Sequence, residues 1–103
     1  MSGEHDIQKQ ILDYLHFVGI TAWRNNSGQA GGVSFGKKGL PDIIGYYYDG
    51  RFLGIEVKQA KGVVTKAQAE IIEEAQESGA LVFVARSVED VLHVLQAEKP
   101  RGT

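Results

Sequence analysis

The chain has 103 residues, with 13 acidic side chains, 11 lysines and arginines, and no cysteine. This length predicts one domain over residues 1–103 with a single core. The absence of cysteine excludes disulfides and thiolate metal sites. The longest apolar runs are strand-sized, which excludes a membrane-spanning helix. The polar N-terminus predicts no signal peptide, so we expect a cytoplasmic protein.

The net charge of −2 is distributed unevenly along the chain. Residues 24–66 contain seven lysines and arginines against three acids, whereas the remainder contains four against ten. This polarity is typical of a protein that meets a polyanion on one face. The alternative is that these charges only form a solvated surface.

The first element predicted is a helix over residues 3–18, ending before Gly19. Its apolar stripe comprises Ile7, Ile11, Leu12, Leu15 and Val18. Glu4 lies three residues before Ile7 and therefore on the same face of the helix. Its carboxylate either complements the helix dipole or belongs to a site at that end.

Residues 21–26 predict a short strand that leads into a loop. Arg24 and Asn26 share one face of this strand. They either contact phosphate or are ordinary polar residues of an edge strand. The loop over residues 27–39 has five glycines and two lysines. Loops of that length are usually functional or disordered, and the glycine spacing does not match a P-loop.

A β-hairpin is predicted around the Asp49-Gly50 turn, the strongest short hairpin signal in the chain. A two-residue loop would leave Asp42 and Glu56 on opposite faces of the hairpin. A three-residue loop over residues 48–50, with Gly50 in the left-handed conformation, sets Asp42 directly opposite Glu56. Their Cβ atoms would then lie about 5 Å apart. We predict the three-residue loop.

After the hairpin, the sequence predicts a second helix that begins with a capping box at Thr65 and Gln68 and ends at Gly79. Gln68 also lies on the inward stripe of this helix. Residues 80–85 are typical of a strand buried on both faces, and Ser87 begins a third helix. The predicted order is α-β-β-β-α-β-α, with the last strand parallel to the hairpin strand before it. Residues from about 98 onward are predicted to be a flexible tail.

The hairpin predicts a site for phosphodiester chemistry. Two adjacent carboxylates repel each other and rarely persist without a cation, and oxygen donors favour Mg²⁺ or Mn²⁺. Strand alternation places Lys58 on the face of Glu56, about 6.6 Å further along. An amine there can orient or deprotonate a water and stabilise charge on a phosphate. The backbone carbonyl of Val57 is a further candidate ligand. The alternative is a salt-bridged polar patch facing solvent.

Pro41-Asp42 followed by Glu56-Val57-Lys58 resembles the PD-(D/E)XK nuclease superfamily. The early helical glutamate, the WRN strand with its glycine-rich loop, and the KGLPDI, GIEVK and TKAQ segments resemble its VRR-NUC branch. The resemblance covers nearly the whole chain. It implies an α/β fold with a restriction-endonuclease-like αβββαβ core, in which helices flank a mixed sheet.

The resemblance also implies roles for individual residues. Asp42 and Glu56 would be metal ligands for Mg²⁺ or Mn²⁺, and Lys58 the catalytic lysine. Glu4 is similar to the family's helical acid at the metal shell, and Gln68 to its helix residue that hydrogen-bonds near the lysine. No organic cofactor is implied. The nucleic-acid contacts that we predict are Arg24, Asn26, Ser27, Lys37, Lys38 and Lys61.

Stand-alone members of this branch are similar to phage-type structure-selective endonucleases, which implies a homodimer acting on branched DNA such as four-way junctions or flaps. We predict a metal-dependent DNA endonuclease with little sequence specificity, in the cytoplasm of a bacterial or phage-infected cell. The alternatives are a non-catalytic DNA-binding or accessory module of the same fold, and an RNA-directed nuclease. The run Tyr46-Tyr47-Tyr48 is either part of an interface or a consequence of β-propensity.

Overall fold

The computed structural model of the chain describes residues 3–26, 29–30, 33–34 and 38–98. Its elements are α1 (Glu4–Phe17), β1 (Thr21–Arg24), β2 (Gln29–Ala30), β3 (Val33–Ser34), β4 (Ile43–Tyr46), β5 (Phe52–Val57), α2 (Lys66–Glu77), β6 (Leu81–Ala85) and α3 (Val88–Ala97). This order confirms the predicted succession of the principal elements and adds the short strands β2 and β3.

The helices begin and end at residues that have capping or turn chemistry. Gly3 precedes α1, and Gly19 follows it with a φ of +84°, a conformation that favours glycine. In the capping box of α2, the Gln68 N–H donates to Thr65 Oγ1 (3.1 Å) and the Thr65 N–H donates to Gln68 Oε1 (2.9 Å). The hydroxyl of Ser87 caps α3. These contacts confirm the predicted helix starts.

Four strands form one mixed sheet in the order β1-β4-β5-β6. The pairs β1-β4 and β4-β5 are antiparallel, whereas β5-β6 is parallel. The parallel pair confirms that α2 carries the chain back so that β6 lies beside β5 in the same direction.

The hairpin between β4 and β5 has the predicted three-residue loop. Ile43 pairs with Ile55, and the Tyr47 N–H donates to the Arg51 carbonyl (2.9 Å). Gly50 closes the loop with a φ of +90°. The alternative two-residue loop is therefore wrong for this hairpin.

The sheet has two faces that we name after the helices covering them. The α1 face packs against α1 and α3 and forms the hydrophobic core. The largest fully buried residues of this core are Ile11, Leu15, Ile43, Leu53, Ile55, Val57 and Val91. The opposite α2 face carries the alternate strand residues, and α2 covers it over β6 and part of β5. Every α2 residue is described, and none of them is fully buried. The α2 face is therefore only partly covered.

One part of the predicted loop over residues 27–39 is wrong, because β2 and β3 pair there as a short antiparallel ladder. Such a ladder satisfies backbone groups without any apolar alternation in the sequence. The rest of that loop up to residue 37, and the predicted tail beyond residue 98, lie outside the described residues. Among the described residues, no helix combines the length and apolarity needed to cross a membrane.

Candidate active site

The hairpin register places the Asp42 and Glu56 carboxylates together on the α2 face. The pairing of Ile43 with Ile55 continues by one residue to set Asp42 opposite Glu56. Asp42 Oδ2 accepts a hydrogen bond from the Val57 N–H at 2.8 Å, which holds its side chain against β5. The two carboxylates therefore meet because of a local turn and one backbone donor.

Glu56 is a buried charge-bearing side chain, with only 2% of its surface exposed. Its Oε2 accepts a hydrogen bond from Gln68 Nε2 at 3.0 Å. Its Oε1 is buried and has no hydrogen-bond partner among the described residues. An unsatisfied buried carboxylate oxygen is unfavourable unless a proton or a cation occupies the site.

The surroundings raise the pKa of Glu56 from its usual range to about 8. Burial is the largest cause, followed by the charge of Asp42. Two neighbouring carboxylates repel each other, which favours keeping one of them protonated. Lys58 opposes the increase, and Glu4 adds the smallest contribution to it. Metal-free, the pair therefore tends to retain one proton near neutral pH.

The side chain of Gln68 makes two hydrogen bonds, one in the helix cap and one to Glu56. Its Oε1 accepts from the Thr65 N–H in the capping box, and its Nε2 donates to Glu56 Oε2. Because the capping bond requires the amide oxygen, it orients the amide nitrogen toward Glu56. The first turn of α2 therefore fixes the position of a carboxylate on β5.

Lys58 follows β5 directly and lies on the face of Glu56. Its backbone N–H donates to the Ala85 carbonyl at 3.1 Å, which extends the parallel pairing beyond the end of the strand. Its side chain is half-buried, and its charge favours ionisation of Glu56. The structure thus positions a cationic side chain beside the two carboxylates.

The predicted metal set is assembled in part. Glu4 is the exposed first residue of α1, and its influence on the pKa of Glu56 shows that their charges interact. In the ranges that the structure describes, no three histidine or acidic side chains are gathered tightly enough to hold an ion. The contribution of Glu4 and the Val57 carbonyl stays a prediction.

The residues present nevertheless fit a divalent cation. The unpartnered Oε1 of Glu56 lies buried beside the carboxyl of Asp42, so a cation would satisfy the oxygen and relieve the repulsion. The donors are carboxylate oxygens, which Mg²⁺ and Mn²⁺ prefer. Asp42 and Glu56 are the two residues that would hold it.

The predicted nucleic-acid contacts lie in different places. Arg24 Nε donates to Gln8 Oε1 (3.0 Å) and Arg24 Nη2 to the His5 carbonyl (3.2 Å), so its guanidinium lies against α1 on the face opposite Asp42. Asn26, Lys38 and Lys61 are exposed in segments that flank the strands. Ser27 and Lys37 are outside the described residues.

Two residues that sequence reasoning did not assign support the site. Asn25 Nδ2 donates to the Pro41 carbonyl (3.1 Å), and its N–H donates to the Asp42 carbonyl (2.7 Å), which ties β1 to the start of the hairpin. Gly39, with a φ of +87°, lies so close to α2 that an added Cβ would be 2.7 Å from the Ala67 carbonyl oxygen. In the sequence, Asn25 is marked only by its place on the same strand face as Trp23, and Gly39 only by its place before Leu40-Pro41.

Comparison with known proteins agrees with this fold, which is of a nuclease type. The profile of the VRR-NUC domain family matches residues 4–89. The chain belongs to the VRR-NUC domain family, which confirms the resemblance in its motifs. A solved structure described as a "VRR_NUC domain protein" is similar, with a TM-score of 0.62 and 24% identity, over 92% of this chain and 86% of that one. No curated protein matches the sequence significantly.

Proposed function

We propose that this protein is a metal-dependent endonuclease that hydrolyses phosphodiester bonds in DNA. The observation that carries the proposal is the buried Glu56, whose Oε1 has no partner while Oε2 is held by Gln68. A stability role alone does not account for an unsatisfied carboxylate beside a second carboxylate, because that arrangement destabilises the fold. A site for a cation at the substrate phosphate does account for it.

The side chains divide the chemistry between them. Mg²⁺ or Mn²⁺ held by Asp42 and Glu56 would polarise the scissile phosphate and lower the pKa of the attacking water. Lys58 stabilises the negative charge that develops on the phosphate oxygens. Gln68 keeps the Glu56 carboxylate in one orientation, and the Val57 N–H does the same for Asp42. Catalysis therefore depends on positions set before substrate binds.

The proposal includes selectivity for DNA structure, such as four-way junctions or flaps, and little selectivity for sequence. Lys38 and Lys66 are exposed beside the first turn of α2, where they can meet phosphates. These cations suit recognition of backbone shape, since base edges need positioned hydrogen-bonding groups in a groove.

We propose further that the protein acts as a homodimer. Three aromatic side chains on the part of the α2 face that α2 leaves uncovered support this: Trp23, Tyr46 and Phe52 are 44%, 54% and 44% exposed. Exposed aromatic clusters of this kind are typical of interaction surfaces. Sedimentation analysis of the wild type and Tyr46→Ser tests it: a dimer that the substitution dissociates is expected, and a wild-type monomer at all concentrations contradicts it.

The decisive experiment for cleavage compares labelled linear, flapped and four-way DNA, with matched RNA substrates, in Mg²⁺, Mn²⁺ or EDTA. We expect metal-dependent cutting of a branched DNA and loss of cutting in Glu56→Gln. Glu73→Gln, an exposed acid of α2, is the matched control and should cut normally. Tight DNA binding without turnover in either metal would favour the accessory-module alternative, and preference for RNA would favour the RNA-directed one.

A further inference from the structure

A cavity lies beside the segment that follows Lys58. Its volume is about 540 Å³, and it is bounded by α1, by residues 59–61 and by the start of α3. Its apolar wall includes Ile7 and Ala60. Cavities of this size accommodate small organic ligands, including a nucleotide.

The charged groups that line the cavity are both cations, Lys61 and Arg86, and its other polar groups are neutral. Gln10, Gln59, Lys61 and Arg86 line it, and among the described residues no aspartate or glutamate does. Asp90 lies close in sequence, but its carboxylate accepts from the Arg86 N–H at 2.8 Å. A cavity with an apolar wall, two cations and two carboxamides suits a ligand that combines an anion with a flat apolar ring.

Arg86 binds the backbone of the segment that lines one side of this cavity. Its Nη1 donates to the carbonyls of Gln59 (2.6 Å) and Gly62 (2.7 Å), with a longer contact to Ala60 (3.3 Å). Within the described part of the chain, its Nε and Nη2 donate to no protein acceptor. The guanidinium is therefore held in place by one nitrogen and retains free donors for a ligand.

The chain links the cavity to the proposed active site. Gln59 follows Lys58 directly, and Arg86 follows Ala85, whose carbonyl accepts from the Lys58 N–H. A strand with one phosphate at Asp42, Glu56 and Lys58 would have its neighbouring nucleotide beside residues 59–61. A base inside a duplex must first be unstacked and unpaired before it can enter such a cavity, whereas an unpaired base can enter directly.

We propose that this cavity binds an unpaired nucleotide of the substrate strand, adjacent to the phosphate that is cut. Lys61 and Arg86 hold its phosphate, and its base packs against Ile7 and Ala60. This inference rests on the proposed nuclease function and explains how a small domain would select flapped DNA, because a flap supplies an unpaired nucleotide beside the site and a fully paired duplex does not.

The test measures binding of a fluorescent oligothymidylate and of a matched duplex to the full chain in Ca²⁺. Gln10→Trp, which fills the cavity from the surface of α1, should weaken binding of the single strand about tenfold and duplex binding less than twofold. Lys9→Trp is the control, because Lys9 is the preceding residue on α1 and is exposed in an ion pair with Asp13. It should leave both affinities unchanged.

The salt dependence gives an independent measurement. If Lys61 contacts a phosphate, Lys61→Ala should reduce the slope of log affinity against log salt by about 0.7, the value for one contact to a single strand. Lys9→Ala should leave the slope unchanged. Equal single-strand binding by Gln10→Trp and wild type would overturn the inference.

The two proposals fail separately. If the wild type cuts branched DNA while Gln10→Trp binds the single strand normally, the cavity inference is wrong and the nuclease function stands. If no nucleic acid is cut but Gln10→Trp still binds the single strand tenfold more weakly, the cavity is supported as a nucleotide site and the nuclease proposal is wrong.

Discussion

The α1 face and the α2 face of the sheet are formed by alternate residues of the same strands, yet their environments differ. Along β5, Leu53, Ile55 and Val57 point into an aliphatic core and are fully buried. On the other side of the same strand, Phe52 is 44% exposed and Glu56 is a buried carboxylate with an unpartnered oxygen. One face supplies the stability that allows the other to keep an unfavourable arrangement of charges.

This comparison has a practical consequence. Because side chains in a strand alternate between faces, substitutions at two adjacent residues alter opposite faces of the sheet. Ile55 and Glu56 are such a pair: substitution of Ile55 tests the core, and substitution of Glu56 tests the proposed active site.

The largest expected effect is on cleavage by variants of the α2 face. Glu56→Gln and Lys58→Ala should each lower the cleavage rate by about a hundredfold to ten-thousandfold. Glu56→Gln should not lower the melting temperature of the metal-free protein at neutral pH, because the raised pKa of Glu56 already keeps its buried carboxyl group largely neutral there. Cleavage assays with thermal melts check this, and a variant that cuts at the wild-type rate would refute the role of that residue.

Substitution of Ile55, the neighbour of Glu56 on the α1 face, should reduce stability and leave cleavage unchanged. Ile55→Ala should lower the free energy of unfolding by about 2–5 kcal/mol, since Ile55 is fully buried in the core. Where the variant stays folded, its cleavage rate at low temperature should remain near the wild-type rate. Urea unfolding measures the loss, and a change under about 1 kcal/mol would contradict the division between the faces.

The raised pKa of Glu56 predicts a pH dependence of stability without metal. The folded protein binds the Glu56 proton more tightly than the unfolded chain, so stability is greatest below the usual pKa and falls as pH rises toward about 8. We expect a fall of about 1–3 kcal/mol between pH 5 and 8. Glu56→Gln should flatten the curve, and Mg²⁺ should restore stability at pH 8. A curve that rises over this range contradicts the shift.

Substitution of Gly39 tests whether cleavage depends on the close contact between the chain at Gly39 and α2. Gly39→Ala combines left-handed strain of about 1–2 kcal/mol with a Cβ contact of 2.7 Å against the Ala67 carbonyl oxygen. It should displace the turn that holds Gln68 and reduce cleavage several-fold. Gly19→Ala is the control, because Gly19 also has a positive φ but has space for a Cβ. It should lose stability without losing cleavage.

The smallest effect is expected at the uncovered aromatics. Tyr46→Ala should change the unfolding free energy of the monomer by less than about 1 kcal/mol, because Tyr46 is 54% exposed and contacts Trp23 edge to face. Its neighbour Tyr47 is 5% exposed under the Arg51 guanidinium, and Tyr47→Ala should cost about 3–5 kcal/mol. Chemical denaturation at several protein concentrations compares them, and equal losses would contradict the distinction between the faces.

Much of the fold was predictable because its signals are local. The capping residues at Thr65 and Ser87, the glycine at position 19 and the turn at Gly50 each act within a few residues of the chain. The strands β2 and β3 were missed because a two-residue ladder has no apolar pattern to detect.

Predictions about the site were less complete. The register of the hairpin set Asp42 opposite Glu56, and the inward stripe of α2 placed Gln68 toward the sheet. Strand alternation alone could not predict the surroundings of Arg24. It assigned Arg24 to one face of the strand, but only the hydrogen bonds to Gln8 and His5 show that α1 covers this face.

The sequence by itself determined the helices, the hairpin with its register, and the identity of the acid pair and lysine, because these depend on contacts between near neighbours. Only the tertiary structure decided that Glu56 is buried with one oxygen unpartnered, that Gln68 reaches it, and that Arg86 holds the chain after Lys58. These contacts join residues 12 or more positions apart. Their existence depends on how the elements pack, which no local pattern in the chain encodes.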